Sequence, residues 1–192
     1  KRIEYLKPIM FSGGIGKIND KNNYKDNLNY GDLIIRIGGP AYRIGLGGGT
    51  ASSREQDEKN SQQDFNAVQR GDAEMASKLV RFIRKINYFN FIKSIHDQGS
   101  GGMANVSREI SEPYGAKIFL DNISIGDNSL NSLEKWVAEY QEQISFIIEF
   151  QNYRFLKKLA EKENLSLVIA GYINNSKKIE VISKLDKIKP VD

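Results

Sequence analysis

The sequence contains no cysteine, which excludes a disulfide framework and any cysteine-ligated metal and fits a reducing compartment, so a cytoplasmic location is expected. It has no apolar run near the roughly 20 residues that a membrane span needs. Its opening, Lys1-Arg2-Ile3-Glu4-Tyr5, carries an acid and lacks the apolar stretch of a signal peptide. A clustered basic face is also missing. The net charge is +4 and the pI about 9.1, but the lysines are scattered among acids, so no nucleic-acid role is expected. The start without Met reads as mid-element, so a fragment of a longer chain is expected. At 192 residues that fragment is large enough to bury its own core as one domain spanning 1–192.

Apolar patterning predicts alternating strands and helices. Leu33–Ile37 reads as a buried strand between turn signals, and Met75, Leu79, Phe82, Ile83 and Ile86 recur at helical spacing behind the N-cap candidate Asp72, predicting a helix to about Asn87. Further strands are predicted at Phe91–Ile95, Lys117–Leu120, Ile144–Phe150, Leu165–Tyr172 (central) and Lys178–Ser183 (edge). Further helices are predicted at Met103–Ile110, from the capping-box pair Asn131 and Glu134 through Val137, and at Tyr153–Glu163. The fold class is α+β, in the layered α/β sense: a mixed β-sheet covered by helices. The wholly polar run 54–63 predicts a mobile surface loop over about residues 51–64.

Two glycine-rich segments carry the candidate chemistry. In Gly38 to Thr50, the residues Gly45, Gly47, Gly48, Gly49 and Thr50 can present backbone N–H groups to phosphate oxygens, or can equally form tight turns at sheet corners. In His96-Asp97-Gln98-Gly99-Ser100-Gly101-Gly102, a carboxylate at a strand end precedes glycines and a helix N-terminus. Asp97 is there a Mg²⁺ ligand beside a phosphate-friendly dipole, formed with Gly99, Gly101 and Gly102, or simply the cap of the following helix. His96, the single histidine, is given no role. Glu139-Tyr140-Gln141-Glu142-Gln143 sits at a helix-to-strand junction and is either a cleft wall or a solvated helix end. Gln69, taken alone, reads as a surface residue near a helix start.

Read in order, Lys7 to Gly16, Gly38 to Ser53, Asp64 to Asp72, Ile95 to Met103, Leu130 to Trp136 and Glu139 to Gln143 resemble successive motifs of the phosphoribosylformylglycinamidine synthase family. The similarity runs from Lys7 to about Ile148, and the ordered combination is far more specific than any one motif. It is to the first of that enzyme's two domains of the aminoimidazole-ribonucleotide-synthetase C-terminal type, closer to the long single-chain form around Leu130 to Gln143.

The resemblance implies a ligase of purine biosynthesis. ATP phosphorylates the formamide oxygen of formylglycinamide ribonucleotide (FGAR), and glutamine-derived ammonia displaces phosphate to give the amidine. It assigns substrate binding to Gln69, Glu139, Tyr140 and Gln141, phosphate contacts to the two glycine segments and Mg²⁺ to Asp97. No side-chain nucleophile is implied, since phosphoryl transfer depends on positioning and charge neutralisation. Tyr140 stands where serine is common, and Gln143 where arginine is usual, which removes a charge. Most of the ATP site would lie on partner domains, with ammonia from a glutaminase domain or subunit. The isolated chain is then expected to be inactive and, through an apolar sheet face left bare, to self-associate as a homodimer. Other ATP-dependent members of the superfamily, and a non-catalytic scaffold half holding a structural nucleotide, are the alternatives.

Overall fold

A computed structural model describes residues 13–43, 71–99 and 101–184, without the side chains of Lys21, Tyr140 and Gln141. The predicted loop at 51–64 lies outside the described residues. The strands are β1 (Leu33–Gly38), β2 (Ser94–Gln98), β3 (Ala116–Phe119), β4 (Tyr140–Ile148), β5 (Ser166–Ile173) and β6 (Ile179–Ile182). The helices are α1 (Ala73–Phe89), α2 (Gly102–Ser111), α3 (Ser132–Val137) and α4 (Tyr153–Lys162). The strands form one sheet in the order β2-β4-β1-β5-β3-β6. Every neighbouring pair is antiparallel except β3 with β6, so the sheet is mixed, as the sequence predicts.

Strand β1 is central because its side chains are wanted on both faces. Leu33, Ile35 and Ile37 pack with Phe146 and Ile148 of β4 beneath Leu79, Phe82 and Ile86 of α1 and Leu156 and Ala160 of α4. Ile34 turns the other way and joins Ile147, Ala170 and Ile173 against Met103, Val106 and Ile110 of α2. The period-two alternation of a strand thus builds two cores from one apolar run. Among the described residues helices thus pack on both faces of the sheet, α1 and α4 on one and α2 on the other. None of the described helices is long and apolar enough to cross a membrane.

Strands β2 and β4 depart most from the sequence prediction, the others by at most a residue at either end. β2 begins at Ser94 rather than Phe91, because Phe91 and Ile92 pack into the α1–α4 core, with the Phe91 ring 5.5 Å from Phe89 and 5.8 Å from Phe155. β4 begins at Tyr140 rather than Ile144, so the polar run Tyr140 to Gln143 is strand, paired at Tyr140 and Gln143, rather than a solvated helix end. At its far end Phe150 is exposed, in a 3₁₀ turn. The predicted helices hold to within a few residues. Asp72 accepts the Met75 N–H at 2.9 Å as the N-cap of α1. The Asn131–Glu134 pair closes a capping box on α3, which lets a six-residue helix persist.

Candidate functional site

The end of β1, the end of β2 and the start of β4 meet at one edge of the molecule. Gly38 lies opposite Gln143 and Gln98 opposite Tyr140. Between Asp97, which faces Ile144, and Gln98 the register jumps. Such a bulge twists a strand and re-aims its side chains. Asp97, still in the strand, has a side chain 73% exposed, and among the described residues its ion-pair neighbour is His96 Nδ1 at 3.4 Å. Gly99 is packed closely enough that a Cβ there would stand 3.2 Å from Asp97 Oδ2.

The N-terminus of α2 follows at once. Its cap is Gly101, at φ +81°, which as glycine offers no capping side chain, and the Gly102 N–H donates to the Gly99 carbonyl at 3.0 Å. The N-cap position is thus Gly101 and not Asp97, and the helix dipole at this end of α2 still favours an anion. Gly102, at φ +55° and buried, presses on the α3–β4 junction, where a Cβ would meet the carbonyl oxygen of Ala138 at 2.2 Å. Only glycine allows that approach. It brings the α2 N-terminus against the chain just before Glu139, whose Oε1 is buried and has no hydrogen-bond partner. Buried polar atoms are nearly always satisfied, so this one is open to a ligand donor.

The sheet pairing thus gathers Asp97, Gly99, Gly101, Gly102, Glu139 and the backbone of Tyr140 and Gln141. Gln69, Gly45, Gly47, Gly48, Gly49 and Thr50 lie outside the described residues. His96 is engaged structurally: Nε2 lies 2.7 Å from Glu109 Oε2 and Nδ1 2.7 Å from the Asp97 carbonyl oxygen. A cleft of about 700 Å³ lined by Tyr24, Asn87, Asn90 and Ser94 sits by the start of β2 and the end of α1, away from these groups, and contributes nothing to them.

Three neighbours escape a reading of the sequence. Gln98, fully buried, donates to Ser145 Oγ and to the Met103 sulfur, leaving its Oε1 without a partner. The guanidinium of Arg36, 3% exposed, donates to the Gln143 side-chain oxygen, while the Gln143 amide donates to the Gly39 carbonyl. The charge expected to be missing at position 143 is therefore supplied from the adjacent strand. Glu142 binds both Asp72 and Gly39 through backbone N–H groups. Apart from Gln98 with Met103, these pairings join positions 47 to 107 apart in sequence, which no short-range pattern reveals.

Behind the site, Arg43 grips Glu134 (Nε to Oε1, 3.0 Å) and the Ser129 carbonyl oxygen (3.0 Å). The Glu134 carboxyl is held below its ordinary range by the Asn131 backbone N–H, against desolvation and with the help of Arg43. This pins the chain after β1 to the start of α3.

The family model for "AIR synthase related protein, C-terminal domain" matches residues 29–184. A Dictyostelium discoideum protein named phosphoribosylformylglycinamidine synthase is 44% identical over 190 residues, covering 96% of this chain and 14% of its own length. The chain thus spans about one-seventh of that relative. Two solved structures share the fold: T. maritima PurL complexed with FGAR (TM-score 0.73, 18% identity, 83% of this chain and 27% of that one) and with ATP (TM-score 0.70, 19% identity, 87% and 26%). With a six-stranded mixed sheet, helices on both faces and a family match across nearly all of the described residues, the chain belongs to the AIR-synthase-related proteins, as their C-terminal domain.

Proposed function

We propose that this chain is a substrate- and phosphate-binding domain of a phosphoribosylformylglycinamidine synthase. The observation that carries the reading is the meeting of an exposed Asp97 carboxylate, an uncapped α2 N-terminus and a buried, unpartnered Glu139 oxygen at one end of the sheet. The relative's name and the bound FGAR and ATP of the two PurL structures support it.

In this reading the N–H groups at Gly99 and Gly101 take phosphate oxygens of ATP, while Gly102, whose N–H donates to the Gly99 carbonyl at 3.0 Å, shapes the turn, and Gly45, Gly47, Gly48, Gly49 and Thr50 contribute more. Mg²⁺ asks one or two carboxylates of a protein and completes its shell with phosphate and water. Asp97 meets that demand, and the described residues hold no group of three or more acid or imidazole side chains that would favour a caged metal. When bound, the ion neutralises phosphate charge. Glu139 accepts a hydrogen bond from FGAR, Gln69 and Gln141 orient it, and Tyr140, in a paired strand, presents backbone where serine is common. Transfer of the terminal phosphoryl group to the formamide oxygen makes a leaving group, which ammonia displaces as phosphate. The remainder of the ATP site belongs to other domains of the synthase, ammonia to a glutaminase domain or subunit, and the whole to the cytoplasm.

The test is Asp97→Asn in the full-length synthase that carries this domain. Loss of a charge-neutralising ligand should lower kcat/KM for FGAR by about a hundredfold or more and raise the Mg²⁺ concentration needed for half activity. Unchanged activity with unchanged Mg²⁺ dependence would overturn the assignment.

A further inference from the structure

Helix α1 has an incomplete cap. Asp72 satisfies the N–H of Met75, but a full capping box also needs a carboxylate three residues on to bind the cap's own N–H, and that position is Met75. The missing acceptor comes from another strand: Glu142 Oε1 of β4 accepts the Asp72 N–H at 3.0 Å. The same residue's backbone carbonyl accepts the Gly39 N–H at 3.1 Å. The approach is close at Gly38, where a Cβ would stand 2.2 Å from the Glu142 carbonyl oxygen, and ordinary at Gly71, where one would stand 3.9 Å from Glu142 Oε1. A carboxylate at this end of α1 is also favoured by the helix dipole.

We propose that Glu142 is a positioning residue of the site: it clamps the start of α1 and the Gly38–Gly39 turn to the β4 segment Glu139–Gln141. The inference rests on the reading of that segment as the substrate strand. Glu142 completes a cap whose two halves lie 70 residues apart, so the start of α1 and the substrate segment move as one body. Without the clamp, the first turn of α1 frays from the sheet. Substrate then meets a site whose parts are present but not held in register, and binding suffers before chemistry does.

The experiment compares Glu142→Ala with Glu142→Gln, which keeps an acceptor oxygen in place, in the full-length synthase. In the alanine variant, hydrogen exchange over the peptide 71–76 should quicken and the KM for FGAR should rise, each by about tenfold, the scale of one lost charge-assisted hydrogen bond. Its kcat should stay within about twofold, because Glu142 touches no reacting atom. Glu142→Gln should restore most of both. Unchanged exchange in the alanine variant overturns the clamp. Faster exchange with an unchanged KM, while Asp97→Asn is impaired, overturns the positioning role alone. If Asp97→Asn is unimpaired as well, the reading of the site fails and takes this role with it.

Discussion

Replacing Gly102 by alanine tests the contact that seats α2 against the site. The residue sits at φ +55°, where an L side chain costs about 1–2 kcal/mol. Its new Cβ would lie 2.2 Å from the Ala138 carbonyl oxygen, about 1 Å short of normal approach. The obstacle is backbone, tied by the Ala138 N–H to Glu134 at 2.9 Å, so relief needs a shift of α2 or of the α3–β4 junction, at a further cost of about 1–3 kcal/mol. The total is about 3 kcal/mol. With m near ~2 kcal/mol/M for a domain of this size, the urea midpoint should fall by about 1.5 M at constant m. Gly126→Ala is the control. There a Cβ would meet the Tyr42 ring at 2.3 Å, an equal overlap on paper, but Tyr42 is 46% exposed and can swing aside, so the midpoint should move by less than about 0.5 M. Equal shifts in the two variants, or a Gly102 shift under about 0.5 M, would refute the argument that backbone contact decides the cost.

Lys93, 11% exposed, binds Asp32, 5% exposed, at 2.9 Å, and Asp32 also accepts the Asn29 N–H. Lys93→Met should therefore cost about 3 kcal/mol by stranding a buried carboxylate, and Asp32→Asn added to it should recover part of the loss in a double-mutant denaturation cycle. For Lys93, desolvation pulls its pKa down, but Asp32 and Glu149 outweigh it and the net shift is upward. The pair's contribution is thus complete below the ordinary value of 10.5 and lost as pH climbs past the raised one. In acid the sign reverses. Asp127 is lowered mainly by the Ser129 hydroxyl, Glu134 by the Asn131 N–H and Glu163 by Lys85 and Arg81. Each stabilises above its ordinary value of 3.8 to 4.5 and ceases to as pH falls through the lowered one. Glu163→Gln should accordingly narrow the stability difference between pH 7 and pH 3 measured by urea denaturation.

The parts of the fold legible in the sequence are those fixed by local period or local chemistry. The β1 run, the 3–4 spacing of α1, and the two caps at Asp72 and Asn131 each carry their reason within a few residues, and each was placed correctly. The boundaries that moved were set by distant partners. Phe91 and Ile92 are apolar because they meet Phe155 of α4 and the α1 core, which reads as strand until α4 is in place. Tyr140 to Gln143 is polar, yet β1 and β2 pair with it, because main-chain hydrogen bonding is indifferent to side-chain polarity where no core is to be filled.

The same division governs the candidate site. Asp97 and the glycines after it could be picked out because a carboxylate, a tight turn and a helix start follow one another along the chain. What holds them could not. The register break beside Asp97 arises because three residues of β4, Gln141 to Gln143, are passed over between the pairs Asp97–Ile144 and Gln98–Tyr140, and the cation beside Gln143 comes from Arg36 on a third segment. Replacing Gln143 by arginine would set two guanidiniums in one buried place. It should therefore destabilise this chain unless Arg36 is neutralised with it. Recovery of the Gln143→Arg midpoint by Arg36→Gln, read from urea denaturation, tests whether the two positions exchange one charge; additive losses would show that they do not.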